Sequence, residues 1–349
     1  MKIGLISDLH LREKMPYADL VKDGREGEVE MVLNHIVRAF SNCDAVVFMG
    51  DNLNSRINSA GTIARFVNLL ERFGDDKAIY IIAGNHEKMS DGSSALDFIA
   101  ELTGKTNWVL VSRYTKTINV GDVNIALMPY FHRTETQSVT TEDWQKSIDK
   151  QIDMIQADIL LVHHSIAGCG VSDYVSTDSF SEPVLNRQTL EDKFKMVVGG
   201  HIHKATDDGK IHVLGNVFNS EIGEYGKRVG IIDTDTMTLE TVNLPGKHIV
   251  KVIDPQPDDA LAVMAEHGTG AIVKVEVKTE RTPEELAVLK AKFQSFESLI
   301  FTERYSNKRE KTHVEGGVEE LGIETLLKNY AKAKDINVGL LTRAMELIS

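Results

Sequence analysis

Cysteine is scarce in this chain. Cys43 and Cys169 are the only two among 349 residues, too few for a disulfide framework or a thiolate metal cage. Both are therefore expected to be buried or idle thiols. No apolar run reaches the length of a membrane span, and the N-terminus opens into a strand instead of a basic region followed by an apolar segment. A cytoplasmic chain without membrane contact is the expectation. Positive charge is also short: 39 lysines and arginines stand against 52 acidic residues, a formal net charge of −13. That argues against coating nucleic acid by general electrostatics, so any DNA contact must be local, or helped by metal ions or a more basic partner. Internal repeats and low-complexity tracts are absent too.

What is present is the balance of a soluble globular protein, with 42% hydrophobic and 26% charged residues. The length exceeds one ordinary core and predicts a large domain with a smaller companion. Val32, Leu33, Ile36, Val37 and Phe40 form one face of a helix expected over 28–41. Apolar runs at 45–49, 78–82 and 159–162, and at 2–6 and 195–198 after a leading lysine, read as buried strands. Strands alternating with long helices are the signature of βαβ units. A hairpin is expected around Gly121-Asp122. Thr140 with Asp143 resembles a capping box, and Ser-, Gly- and Asp-rich residues 165–187 read as a long loop. Pro245-Gly246 is the clearest boundary; beyond it lie an alternating strand at 271–277 and a helix opened by Thr282-Pro283-Glu284-Glu285.

The chemistry collects at strand ends. The first strand runs into Asp8 and His10, the next into Asp51, the third into Asn85 and His86, a fourth into His163-His164, and a fifth into His201 and His203. C-terminal ends of parallel strands gather on one edge of an α/β sheet, so these distant segments are expected to meet in one cleft. Carboxylate, imidazole and amide oxygen together suit Mn²⁺, Fe or Zn²⁺, and there are more donors than one ion needs. Taken singly, Asp8-x-His10 or Asn85-His86 is as readily a capped turn. His35, His132, His212, His248, His267 and His313 fit no motif and read as surface or half-buried residues.

Asp-x-His, Gly-Asp, Gly-Asn-His, a strand-end His and Gly-His-x-His, in this order, resemble the calcineurin-like metallophosphoesterase superfamily. Within it the chain resembles the SbcD-type DNA nucleases, on Leu214-Gly215-Asn216, then Ser220-Glu221-Ile222-Gly223-Glu224, Gly230-Ile231-Ile232-Asp233 and the Pro245 boundary. The resemblance covers residues 1–246 well. It implies a four-layered α/β/β/α sandwich over 1–246, a small α/β capping domain over 247–312 for DNA recognition, and a C-terminal helical tail over 313–349. Two divalent ions are implied, Mn²⁺ first and Mg²⁺, Fe or Zn²⁺ as alternatives. Asp8, His10, Asp51 and His203 would hold one, and Asp51, Asn85, His163 and His201 the other, with Asp51 bridging. His163 is preferred to His164 because it directly ends its strand. His86 would be the acid that protonates the leaving oxygen in a two-metal hydrolysis.

Three residues depart from the family pattern: Asn54 where histidine or aspartate is common, Glu87 for aspartate, and Arg12 for glycine. None removes a ligand, but they bear on the support of His86. The implied activity is exonuclease and endonuclease cleavage of DNA in recombination and repair, with an SbcC-type coiled-coil ATPase docked on the tail and a homodimer formed through the core. The basic run Arg304, Lys308, Arg309 and Lys311 reads as a solvated loop or a DNA-tracking segment. The rivals are a small-molecule phosphatase or phosphodiesterase on the same core, and a scaffold that only recruits an ATPase.

Overall fold

In the computed structural model the described residues are 1–21, 24–101, 105–169, 182–224 and 226–303. The expected C-terminal helices, the basic run from Arg304, and residues 170–181 of the long loop lie outside them.

The first half of the chain lays down β1 (Lys2–Ile6), α1 (Glu26–Ala39), β2 (Ala45–Met49), α2 (Ala60–Glu71), β3 (Ala78–Ile82), the short α3 (Phe98–Glu101) and β4 (Trp108–Val111). The hairpin β5 (Lys116–Val120) and β6 (Val123–Met128) follows, then α4 (Thr141–Met154), β7 (Ile159–Val162), and the two-residue strands β8 (Ser165–Ile166) and β9 (Val184–Leu185). Next come α5 (Arg187–Lys193), β10 (Met196–Gly199), β11 (Thr206–Asp208), β12 (Ile211–Val213), β13 (Arg228–Asp233) and β14 (Thr238–Asn243). The last described stretch is β15 (Ile249–Ile253), α6 (Asp259–His267), β16 (Ile272–Val277), α7 (Pro283–Phe293) and β17 (Ser298–Glu303).

Two six-stranded sheets, ordered β14-β13-β1-β2-β3-β4 and β11-β12-β10-β7-β6-β5, face each other. Strands β1 to β4 run parallel, as do β6, β7, β10 and β12; antiparallel strands close both edges of the second sheet and the β14 edge of the first, whose other edge is the parallel β4. Alternation decides the layers. Ile3, Leu5, Val47 and Met49 point inward to meet Leu127, Leu161 and Val198 of the opposite sheet. Val46, Phe48, Ile79 and Ile81 point outward, under Val32, Leu33 and Ile36 of α1 and Phe66 and Leu70 of α2. On the far side Leu160, Val162 and Val197 lie under Trp144 and Ile148 of α4 and Leu190 of α5. The result is a mixed α/β sandwich in α/β/β/α order. Central strands read as continuous apolar runs because both their faces are covered.

Local signals set the helix ends. Ser59 accepts from Thr62 N at 3.2 Å, and both Thr140/Asp143 and Thr282/Glu285 close full capping boxes, each cap contributing about 1 kcal/mol. Residues 249–303 make a three-stranded parallel sheet, β15-β16-β17, with its own core of Val273, Val275, Leu289 and Phe293. Just before this region Lys247 is tied to the sandwich through Glu28, which is held by the fully buried Arg25. Arg25 pairs with Glu28 at 2.7 Å and donates to the Pro16 and Asn219 carbonyls, while Glu28 accepts from Lys247 N at 2.9 Å. Among the described residues no helix is long and apolar enough to cross a membrane.

Candidate metal centre

The strand ends converge from both sheets. β1, β2 and β3 deliver Asp8, His10, Asp51, Asn85 and His86 from one, and β7 and β10 deliver His163, His201 and His203 from the other. Main-chain bonds prolong the parallel ladder past its strands, with Asp8 N to Gly50 O at 3.1 Å and His10 N to Asp51 O at 2.8 Å. Across the gap, His201 N donates to the Asp8 carboxylate at 3.0 Å, and His163 Nδ1 donates to Met49 O at 2.7 Å. Asp8, His10, Asp51 and His201 all hold positive φ, at 50°, 45°, 50° and 75°. Non-glycine residues in the left-handed region cost of order 1 kcal/mol or more each and cluster where a site demands them.

Glycines make the close approach possible. A Cβ on Gly50, itself at φ +99°, would lie 2.2 Å from His163 Nδ1. One on Gly84 would lie 2.2 Å from Asp51 Oδ1 and 2.7 Å from His163 Nε2.

The rings share a pattern that fits metal ions. His163 turns Nδ1 to a carbonyl and Nε2 inward, 3.4 Å from Asp51 and 3.3 Å from Asn85 Oδ1. His201 gives Nε2 to Glu182 at 2.6 Å, leaving Nδ1 2.9 Å from the same Asn85 oxygen. His203 has Nδ1 3.5 Å from Glu224 and Nε2 only 3.0 Å from His10 Nε2. Two imidazole nitrogens facing each other at that distance beside carboxylates is an arrangement that an ion would satisfy. Three overlapping groups keep their donor atoms within 4.8 Å of one another: Asp8, His10 and His203; His10, Asp51 and His86; Asp51, His163 and His201. In His163, His201 and His203 the outward nitrogens, held by carbonyl or carboxylate, fix which lone pair points inward.

Electrostatics agrees with a cation site. Burial would raise the Asp51 carboxyl, but His163, then His10 and His86, hold it well below the usual range. Burial would lower His163, but Asp51 outweighs it and raises the ring to about 9. His10 is lowered to about 4 by burial, against the pull of Asp51 and Asp8. His86 differs from the others. Its side chain is 41% exposed, its Nδ1 donates to Asn54 O at 2.8 Å, and its Nε2 stands 3.8 Å from Asp51 Oδ2.

His164 lies elsewhere. Fully buried, it stacks on Tyr130 at 4.8 Å and accepts from Phe131 N at 3.2 Å through Nε2. The three departures from the family pattern acquire physical accounts. Asn54 holds His86 through its main chain, so its side chain is free to vary. Glu87, wholly buried, accepts from Gly84 N at 2.7 Å and Leu53 N at 2.8 Å and so joins the loops after β3 and β2. Burial first, and Asp51 second, push its carboxyl up to about 8. Arg12 Nε donates to His10 O at 3.3 Å.

Sequence reasoning missed Glu182 and Tyr130, which surround His201, and no local pattern marks either residue. Glu224 stood in a recognised segment without a role. It accepts from Ser220 N at 2.7 Å and Asn216 Nδ2 at 3.2 Å, faces His203, and pairs with Lys227 at 3.2 Å.

No curated protein matches this chain. Among solved structures, one described as a novel archaeal phosphodiesterase is 14% identical, with a TM-score of 0.35 over 70% of this chain and 100% of that one, a likeness too low to carry an argument. The calcineurin-like phosphoesterase model matches residues 1–205. That stretch contains every strand end assembled above, and the chain belongs to the calcineurin-like phosphoesterase family, hydrolases of phosphoester bonds that use divalent metals.

Proposed function

We propose that this chain is a metal-dependent DNA nuclease of the SbcD type, the hydrolytic partner of a coiled-coil ATPase. The observation that carries the reading is the segment 214–224, whose resemblance to those nucleases has a structural use here. Gly215, at φ +76°, brings its backbone against His203, where a Cβ would lie 2.7 Å from the His203 carbonyl. Val217 N reaches Asp8 O at 3.3 Å, and Glu224 faces His203. The segment that leads toward the second α/β region thus also buttresses two of the proposed ligands.

In this reading Asp8, His10, Asp51 and His203 hold one ion, and Asp51, Asn85, His163 and His201 hold the other. When bound, two ions such as Mn²⁺ neutralise phosphate oxygens and acidify water. The protein's own work is positioning. Asn54 O fixes the His86 ring by Nδ1, so Nε2, 3.8 Å from Asp51 Oδ2, is the nitrogen left to carry a proton toward the leaving oxygen. Such a donor contributes about 10²–10⁴-fold. Arg56 offers a substrate contact. It is exposed on the loop that holds His86, it donates to His132 Nε2 at 3.3 Å, and among the described residues no carboxylate pairs with it. One such cation suits a local phosphate contact in a chain of net charge −13.

The test is cleavage of end-labelled linear duplex and circular single-stranded DNA by the purified chain with Mn²⁺, alone and with an SbcC-type ATPase. Degradation of linear DNA in either setting supports the nuclease. Hydrolysis of bis-p-nitrophenyl phosphate with no DNA cleavage in either setting would sink it and leave a small-molecule phosphodiesterase.

A further inference from the structure

The ligand sets proposed above are unequal in charge. One ion has two carboxylates, Asp8 and Asp51; the other has only the shared Asp51, beside three neutral donors, Asn85, His163 and His201. Glu182 stands directly behind the poorer set. Its Oε1 lies 2.6 Å from His201 Nε2, on the side of the ring away from Asn85. The same oxygen accepts from Ser165 Oγ at 2.9 Å, and Oε2 accepts from Tyr130 OH at 3.2 Å. Tyr130 is fixed in turn by its stacking on buried His164.

We propose that Glu182 is a positioning residue for one ion only: acting through His201, it supplies the negative charge that this ion's own ligands lack. Nε2–H bound to a carboxylate leaves the Nδ1 lone pair inward and makes it a stronger donor. The carboxylate is unshared, since among the described residues no lysine or arginine pairs with Glu182. Glu224 makes the contrast on the other side. It stands farther off, 3.5 Å from His203, and its charge is already met by Lys227. His203 also belongs to the ion that has two carboxylates. The inference rests on the two-ion reading of the site.

The test is calorimetric titration of Mn²⁺ into the metal-stripped full chain, wild type against Glu182→Gln. The expected result is two ions bound by the wild type, with one step weakened about 10–100-fold in the variant and the other unchanged. Metal-free thermal unfolding should be unaltered. Should Glu182→Gln not fold, Glu182→Ala carries the same comparison. Two wild-type steps that survive unchanged in the variant would overturn the role of Glu182 and leave the two-ion site standing, as would equal weakening of both. A wild type that binds fewer than two ions overturns the two-ion reading itself.

Discussion

Gly84→Ala places one methyl group where the structure has room for none. The new Cβ would lie 2.2 Å from Asp51 Oδ1, 2.3 Å from Asp51 N and 2.7 Å from His163 Nε2. The first two are roughly 1 Å short of ordinary van der Waals contact. Gly84 has no positive φ to forbid a side chain, so the effect is purely one of space. The Asp51 main chain cannot retreat freely, because His10 N is bonded to Asp51 O at 2.8 Å and His86 N to Asp51 Oδ1 at 2.9 Å. Overpacking of this kind costs about 1–3 kcal/mol of stability, a fall in Tm of roughly 2–10 °C for a domain of this size. A displacement of about 1 Å between ligands costs on the order of 10² in rate. The assay is hydrolysis of bis-p-nitrophenyl phosphate across a Mn²⁺ titration, alongside a thermal melt. A folded Gly84→Ala protein with wild-type activity and metal affinity would refute the convergence of Asp51 and His163 on which the site is built.

His86→Ala should keep metal affinity and lose turnover by about 10²–10⁴-fold; a variant that loses a metal ion instead would make His86 a ligand. Arg56→Ala should raise KM for DNA about tenfold, the size of one charge-assisted contact, and leave bis-p-nitrophenyl phosphate hydrolysis alone; equal losses on both substrates would contradict a phosphate contact outside the reacting centre. Burial, reinforced by His201, lowers His164 from 6.5 to about 3. Its contribution to stability is therefore complete above pH 6.5 and lost as pH falls toward 3. In EDTA, His164→Phe should flatten the dependence of stability on pH over that window; parallel curves for variant and wild type would count against it.

Legibility from sequence follows the range of each interaction. Val46, Val47, Phe48 and Met49 announce a strand because both its faces are buried, and a reader of the sequence sees that without knowing what covers them. Thr140 with Asp143 is legible because a capping box closes over three residues. The metal-capable residues stand out because each stands within a few residues of the end of an apolar run. What was hidden is whatever depends on a meeting across the fold. The two facing sheets were implied by the family resemblance, but which strand faces look across the gap is set by side-chain alternation in both. Glu182 meets His201 only because β8 and β9 pair, and its neighbours in sequence carry no trace of that. Asn54 looked like a lost histidine or aspartate, yet its carbonyl does the work, and a carbonyl has no sequence signature. The strands β15 and β17 and helix α6 went unread: exposed Lys251 interrupts the apolar run of β15, and the run in β17 is only the three residues Leu299, Ile300 and Phe301.

The most direct test of the account is Mn²⁺-dependent hydrolysis of bis-p-nitrophenyl phosphate by the wild type and by Asp51→Ala, each with its bound metal counted. The account predicts turnover by the wild type with two ions held, and an Asp51→Ala protein that folds, binds metal weakly and turns over on the order of 10²-fold or more slower. Wild-type turnover in Asp51→Ala would contradict it, because Asp51 turns one carboxylate oxygen to His10 at 3.7 Å and the other to His163 at 3.4 Å.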